Sequence, residues 1–173
     1  MNAALGSYQI KRVHQLPSVD PEVDRRRCSK WFEMLLALKN EGKTHSKLKS
    51  RARKGIPDSI RGIAWPTIAG ADNVVPALYS EGGKQEWMRH LLGKQLDRKQ
   101  LICIFNDVPR TLPHHVYFAE SGGTGQKALF AVLKCLALYS PETGYVQGMN
   151  SLCGTLMTYT TPEDAFTIMV SCF

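Results

Sequence analysis

Two polar residues occupy unusual positions in the chain. Arg110 lies between two prolines in "IFNDVPRTLP" (104–113), and Gln147 lies between two glycines in "GYVQGMN" (144–150). A guanidinium suits the charge that develops on phosphoryl oxygens, and an amide can both donate to and accept from a water molecule. The pair therefore suits phosphoryl transfer. As structural alternatives, Arg110 could cap a helix or pair with Asp107, and Gln147 could satisfy backbone groups at a helix start.

Other candidates for chemistry have weaker patterns. The glycine-rich "SGGTGQK" (121–127) lacks phosphate-loop spacing, because Gln126 stands where the lysine is needed and no strand precedes it. We interpret it as a flexible connection. His114 and His115 could form a metal or acid–base pair, but a solvated loop or helix start is the simpler interpretation. The cysteines lack metal-binding spacing and indicate reduced thiols in core positions. They are Cys28, Cys103, Cys135, Cys153 and Cys172.

The composition is that of a soluble globular protein. The 173 residues predict one domain with an extension, and the 43% hydrophobic and 21% charged residues are ordinary proportions. No apolar run approaches the ~20 residues that a membrane helix needs. The first residues, "MNAALGSYQIKRVHQ", lack the apolar region of a signal peptide. We therefore expect a cytoplasmic protein.

The net charge of +7 is unevenly distributed. Arg25–Arg27 and "KLKSRARK" (47–54) hold eight of the 22 basic residues. Such a run is typical of a solvated linker or helix face. It could instead meet an anionic membrane surface, in a transient association, or an acidic protein partner. We do not expect nucleic acid binding, because no aromatic residues are interleaved with the charges.

The first half of the chain shows helical periodicity after an unpacked terminus (1–21). An amphipathic helix is predicted from about residue 24 to residue 40, followed by a polar, basic linker over residues 41–54. A second helix is predicted after Pro57, with Asp58 or Ser59 as its cap and a stop at Gly70. A single helical pattern then extends from Trp87 until Pro109 ends it.

The second half has three further helical segments. They cover "QKALFAVLKCLALYS", "GYVQGMNSLCGTLMTY" and "TPEDAFTIMVSCF". In the last, Thr161, Pro162 and Asp164 provide an N-cap, a first-turn proline and an acidic third residue. This helix is still apolar where the sequence stops, which indicates a chain cut inside a larger domain. Because no alternating strand pattern stands out, the sequence predicts an all-α fold.

Three blocks occur in an order that resembles the TBC domain of Rab GTPase-activating proteins. The family's R-x-x-x-W block corresponds to Arg61 and Trp65 in "GIPDSIRGIAWPTIAG". Its I-x-x-D-x-x-R block corresponds to "IFNDVPRT", and its Y-x-Q-G block corresponds to "GYVQGMN". The resemblance covers residues 49–173, the N-terminal part of the family domain. Residues 1–48 are then an extension with one helix and a basic linker.

The resemblance implies an irregular all-helical array without a significant sheet. It further implies a GTPase activator, not itself an enzyme, that binds a GTP-bound Rab-type GTPase and regulates vesicle trafficking. Arg110 would be an arginine finger and Gln147 a glutamine finger, both supplied in trans. GTP and Mg²⁺ would belong to the partner, and this chain would hold no cofactor. The alternative is a module that binds a Rab without accelerating hydrolysis.

The same resemblance gives expectations for supporting residues and location. Asp107 would hold the Arg110 guanidinium, and Tyr145 would pack beside Gln147 or touch the GTPase. Arg61 and Trp65 would brace the floor beneath the two fingers, with Asp107 as a candidate carboxylate partner for Arg61. The protein would be cytoplasmic and peripheral on endomembranes.

Overall fold

The computed structural model describes residues 19–172, and this part of the chain contains eight α-helices and no β-strand. This confirms the predicted all-α fold. Most of the predicted unpacked terminus (1–21) lies outside the described residues. The helices are α1 (Pro21–Glu41), α2 (Leu48–Arg53), α3 (Arg61–Ala69), α4 (Gly83–Leu92), α5 (Arg98–Asp107), α6 (Thr124–Tyr139), α7 (Met149–Met157) and α8 (Pro162–Val170).

Helix α1 has defined signals at both ends. The Asp20 side chain accepts a hydrogen bond from the Glu22 amide at 2.9 Å, and Gly42 adopts the left-handed conformation (φ 64°) that ends many helices. Trp31 and Met34 on its inner face join a small core with Ile60 and Ala64 near α3. The amphipathic pattern therefore predicted this helix correctly.

The predicted linker over residues 41–54 is partly wrong, because residues 48–53 form α2. Leu48 packs against the small core, and Arg51 donates hydrogen bonds to the Lys30 carbonyl and the Met34 sulfur of α1. Tertiary contacts with α1 thus order a short basic segment whose own pattern is polar.

The main core surrounds α6, which packs against α4, α5, α7 and α8. Leu129, Val132, Leu133 and Leu136 form its buried apolar face. The rings of Trp87 and Phe166 meet edge to face, with centroids 4.9 Å apart. Full burial of each such aliphatic side chain contributes about 1.5–3 kcal/mol. The central helix therefore supports the segments on either side of it.

Three predicted helix boundaries are wrong, each because of a local backbone signal. The single helix from Trp87 to Pro109 is two helices, because the Asp97 side chain accepts from the amides of Lys99 and Gln100 and caps a new start. Neither Asp58 nor Ser59 caps α3, which is preceded by a 3₁₀ turn. The segment from Gly144 becomes helical only at Met149.

The start of α8 follows its predicted signals. The Thr161 hydroxyl accepts a hydrogen bond from the Asp164 amide at 3.1 Å, and Pro162 lies in the first turn. Every residue from Ala165 to Val170 is buried. The predicted cap and the apolar helix that follows it are confirmed.

Candidate functional site

Arg110 ends a 3₁₀ turn, Val108–Arg110, that directly follows α5. Pro109 lies inside this turn, where its fixed φ is compatible with the backbone and its missing N–H leaves no donor unsatisfied. An Nη2 atom of Arg110 donates to Oδ1 of Asp107. The arginine side chain is 58% exposed while that of Asp107 is 6% exposed. The buried carboxylate thus orients a guanidinium whose remaining donors face outward.

Gln147 lies in the loop before α7, and its residue is exposed. Two glycines shape this loop: Gly144 has φ 62° and Gly148 has φ 104°, values that L-residues disfavour. A Cβ atom at Gly144 would lie 2.7 Å from Oε1 of Gln100. The same Gln100 oxygen accepts a hydrogen bond from the Tyr145 amide at 2.8 Å. The loop therefore docks closely on α5.

A hydrogen-bond network, formed by Asp107, Thr111, Tyr145 and Asn150, connects the Arg110 turn to the Gln147 loop. The Tyr145 hydroxyl donates to Oδ2 of Asp107 at 2.6 Å. Asn150 Nδ2 donates to the Thr111 hydroxyl at 2.7 Å, and that hydroxyl donates to the Asp107 carbonyl at 2.8 Å. Asn150 Oδ1 accepts from the Gly148 amide at 3.1 Å. One carboxylate and one amide thus fix both segments.

The network keeps the Tyr145 phenol neutral. Burial raises the pKa of Tyr145 above its usual value, and the hydrogen bond to the Asp107 carboxylate raises this pKa further. Burial of Asp107 is offset by two donors, one of them the charged Arg110. A buried carboxylate without such partners would be strongly destabilising. Tyr145 and Asp107 therefore act as a donor and acceptor pair with a fixed proton.

Arg61 and Trp65 belong to a different cluster at the other end of α7. Arg61 Nη1 donates to the Tyr159 hydroxyl at 2.7 Å and pairs with Asp58 at 2.8 Å. The rings of Trp65 and Tyr159 meet edge to face at 5.0 Å. The expectation that Asp107 would be the partner of Arg61 is wrong, because Asp58 lies one helical turn away while Asp107 is engaged elsewhere.

Sequence reasoning missed three polar residues of the site and the tyrosine of the second cluster. Thr111 and Asn150 are both buried and bonded to each other, and Gln100 holds the Tyr145 amide. A usable signal existed for Asn150, whose amide lies in the first turn of a helix whose other polar side chains are only the hydroxyls of Ser151 and Thr155. Tyr159 gives no such signal, because its contact with Arg61 joins residues 98 positions apart.

The remaining candidates do not form a ligand site in the described residues. Gln126 is buried, donates to the Phe118 carbonyl at 2.9 Å and accepts from the Gly122 amide at 3.0 Å. The predicted flexible connection is therefore an ordered turn leading into α6. Over residues 19–172 no three metal-ligating side chains converge, His114 and His115 included. Nor is any helix of that part long and apolar enough to cross a membrane.

The chain is similar in sequence to several known proteins. The chain is 38% identical over 156 residues to TBC1 domain family member 10A of Mus musculus, covering 90% of this chain and 30% of that protein. It is 34% identical over 162 residues to Carabin of Mus musculus, covering 89% and 33%. It is 28% identical over 152 residues to Rab GTPase-activating protein tbc-11 of Caenorhabditis elegans, covering 88% and 16%.

The chain thus spans no more than about a third of the length of these relatives. The sequence model of the Rab-GTPase-TBC domain matches residues 58–173, which include the Arg110 turn, the Gln147 loop and the network between them. The chain belongs to the Rab-GTPase-TBC domain family.

Proposed function

We propose that this protein accelerates GTP hydrolysis by a Rab-type GTPase, with Arg110 and Gln147 as two residues supplied in trans. One observation carries the proposal. The two side chains lie on exposed turns, and one network through Asp107 and Tyr145 ties those turns together. Two residues that must reach the same reacting phosphate lose less conformational entropy on binding if they are held by one rigid structure.

Arg110 is proposed to neutralise charge that develops on the transferred phosphoryl group. Its guanidinium carries a fixed charge and several donors, and the bond to Asp107 uses only one edge of it. An arginine supplied in trans accelerates phosphoryl transfer by about 10³–10⁵-fold. That acceleration corresponds to about 4–7 kcal/mol of the barrier.

Gln147 is proposed to orient the attacking water. Its amide can accept a hydrogen bond from the water and donate one to a phosphoryl oxygen. Within residues 19–172 its side chain makes no hydrogen bond, so both functions are free for a partner. The positive φ values of Gly144 and Gly148 set the backbone path of the loop that carries it.

The cofactors and the location follow from the same proposal. GTP and Mg²⁺ belong to the GTPase, so this chain needs no nucleotide pocket and acts as a regulator of another protein's catalysis. Its partner is the GTP-bound form, and its action regulates vesicle trafficking. We place it in the cytoplasm, peripheral on endomembranes, where a membrane-anchored GTPase would be met.

A panel of Rab GTPases tests the proposal. GTP hydrolysis is followed under single-turnover conditions with the full-length protein, its Arg110→Ala variant and its Gln147→Ala variant. We expect at least one GTPase to be accelerated by the wild type, with a loss of about 10³-fold in Arg110→Ala and about 10²-fold in Gln147→Ala.

Matched controls separate this result from a loss of folding. Arg89→Ala and Gln85→Ala remove the same side chains from exposed positions of α4 and are expected to leave the rate unchanged. Binding of each GTPase in its GTP state is measured in parallel. If a GTPase bound the protein but was not accelerated, the protein would instead act as a non-catalytic Rab-binding module. If both finger variants retained wild-type rates, the assignment of Arg110 and Gln147 would be wrong.

A further inference from the structure

The positive charge of the chain is concentrated in α1 and α2, away from the network. Residues 25–54 contain eleven lysines and arginines but only two glutamates, whereas the whole chain has a net charge of +7. The remaining residues are therefore slightly negative together. The proposed action of Arg110 and Gln147 does not use this charge. Repulsion between the clustered cations destabilises the fold, so a separate function for them is worth seeking.

Part of this charge lines one concave site, here called the basic cleft. The cleft lies where α1 faces α2 and has a volume of about 330 Å³. That volume lies within the range of small-ligand pockets. Its lining contains four cationic side chains and no carboxylate. These are Arg27, Lys30, Arg51 and Lys54, with Trp31 and Gly55 completing the wall.

The two arginines of the basic cleft are fixed by backbone contacts. Arg27 Nη2 donates to the Gly55 carbonyl at 3.1 Å, and Arg51 Nη1 donates to the Lys30 carbonyl at 3.1 Å. Each guanidinium has five N–H donors, so most of them stay available after these bonds. The contacts hold the charges in place without neutralising them, as a preorganised anion site requires.

None of the four cations has an acidic partner within residues 19–172. The ion pairs found there join Arg25, Lys43, Arg61, Lys84 and Arg110 to nearby carboxylates. The basic cleft differs from the other unpaired basic residues because its four unpaired cations line one concave site. Clustered cations without counter-charges suit a ligand that carries several negative charges of its own.

We propose that the basic cleft binds a multiply phosphorylated group, of the kind carried by a phosphoinositide headgroup. Planar guanidiniums recognise phosphate through two parallel hydrogen bonds, and lysine ammoniums add point charges. Nucleic acid fits less well, because no exposed aromatic side chain lines the cleft for stacking. A lipid headgroup and a free inositol phosphate share this chemistry. The proposal does not depend on GTPase activation.

The test compares two double variants of the full-length protein that each remove one charge from α1 and one from the segment of α2 and its C-cap residue, Lys54. Lys30→Gln with Lys54→Gln changes the cleft, and both residues are exposed. Lys39→Gln with Lys49→Gln changes exposed lysines outside it. Binding is measured to soluble inositol trisphosphate and to phosphatidylcholine vesicles containing phosphatidylinositol bisphosphate. Vesicles matched in charge with phosphatidylserine serve as the comparison.

We expect the cleft variant to bind the bisphosphate vesicles about thirtyfold more weakly than the wild type, because each lysine near an anionic surface contributes about fivefold. The control variant should lose less than about threefold, since its charges are screened over a Debye length. If the trisphosphate competes with the vesicles, the ligand that the cleft recognises is the lipid headgroup. Binding of the trisphosphate without vesicle binding would identify a soluble inositol phosphate instead.

Three results would overturn the proposal. One is equal binding to phosphatidylserine vesicles of matched charge. Another is an equal loss of affinity for the bisphosphate vesicles in the two double variants, which would indicate that the whole basic surface binds and not the cleft. The third is tighter binding to a single-stranded oligonucleotide, with the same dependence on Lys30 and Lys54. GTP hydrolysis by the cleft variant, measured in solution without vesicles, should equal that of the wild type, so this proposal and the catalytic one can fail separately.

Discussion

The Arg110 turn and the Gln147 loop present their side chains by different physical means. Arg110 is held through its own guanidinium, which is bonded to a buried carboxylate one turn earlier. Gln147 is exposed, and only the backbone and side chains of its neighbours are bonded. A charged residue can thus be oriented by a counter-charge. A neutral amide must instead be positioned by the backbone that carries it.

The two segments should therefore be sensitive to different substitutions. The Arg110 turn should be sensitive to the geometry of the cation and to Asp107. The Gln147 loop should be sensitive to glycines that have no contact with any ligand. Tyr145 is common to both, because its amide fixes the loop and its hydroxyl bonds to Asp107.

The largest effect is expected for Arg110→Lys, which keeps the charge and removes the planar fork of donors. A lysine ammonium cannot bond to Asp107 and to a phosphoryl group with the same geometry. We expect a loss of about 10³-fold in single-turnover GTP hydrolysis, close to that of Arg110→Ala. A lysine variant with more than about a tenth of the wild-type rate would mean that charge alone suffices and that the orientation by Asp107 is unimportant.

A smaller loss is expected for Gly148→Ala, which tests whether backbone geometry presents Gln147. Alanine at a φ of 104° is strained by about 1–2 kcal/mol, so the loop should shift although no atom lies within 4 Å of the new Cβ. A displacement of about 1 Å can cost 10²-fold in rate. Single-turnover hydrolysis should therefore fall by about that factor.

Gly55→Ala is the matched control for Gly148→Ala. Gly55 has φ 95°, also with no atom within 4 Å of an added Cβ, and lies beside α2. Both variants should lose similar free energy of unfolding, measured by denaturant titration. Only Gly148→Ala should lose activity. Equal activity in the two variants would show that Gln147 does not depend on the path of its loop.

Tyr145→Phe should reduce the rate by about tenfold, because it removes one donor from the Asp107 carboxylate. A hydrogen bond to a charged group contributes about 1.5–3 kcal/mol, part of which should appear in the barrier. The loss should shrink in an Arg110→Ala background, since Tyr145 acts on Arg110 through Asp107. If the two losses multiplied instead, Tyr145 would act on the GTPase directly.

Arg61→Ala should affect stability more than rate. Arg61 bonds to Tyr159 and Asp58 at the far end of α7, and its side chain is about one-third exposed. We expect a loss of about 1 kcal/mol in the free energy of unfolding. The hydrolysis rate at a temperature where the variant is folded should stay within about threefold of the wild type. A larger loss of rate would place Arg61 among the residues that position the fingers.

Sequence periodicity predicted the elements whose signals are local. The α1 and α6 patterns, the Gly70 stop and the Thr161 cap all depend on residues within one or two turns. The same local reasoning failed where two signals compete. Helical spacing continues across residues 93–97, but the Asp97 cap interrupts it. Apolar spacing begins at Gly144, but two glycines with positive φ delay the helix.

The contacts within the site could not be predicted in the same way. Asp107 and Tyr145 are 38 residues apart, and Asn150 and Thr111 are 39 apart. These residues come into contact because α5 and α7 both pack against α6. The periodicity of a single segment carries no information about such packing between helices. Sequence motifs identified the residues Arg110 and Gln147. The carboxylate partner of Arg61 was predicted wrongly because Asp107, from another sequence block, was preferred to Asp58, which lies within one helical turn of Arg61.

The smallest effect concerns alkaline pH and isolates the Tyr145 hydrogen bond. Burial and the Asp107 carboxylate raise the pKa of Tyr145 in the folded protein above its unfolded value of 10.0. A group whose folded pKa is raised contributes stability that is complete below the unfolded pKa and lost as pH rises toward the folded one. The stability advantage of wild type over Tyr145→Phe should therefore be constant at neutral pH and shrink above about pH 10.

Denaturant titrations of both proteins from about pH 8 to about pH 11 measure this difference, and subtraction removes the titration of the other groups. Tyr117→Phe is the control, because Tyr117 is exposed and its hydroxyl makes no hydrogen bond within residues 19–172. The control removes a tyrosine hydroxyl without removing a hydrogen bond to a buried carboxylate. A difference for Tyr145→Phe that stayed constant up to about pH 11 would mean that the phenol ionises as freely in the folded chain as in the unfolded one. The Arg110 turn and the Gln147 loop would then lack the shared neutral donor that we infer.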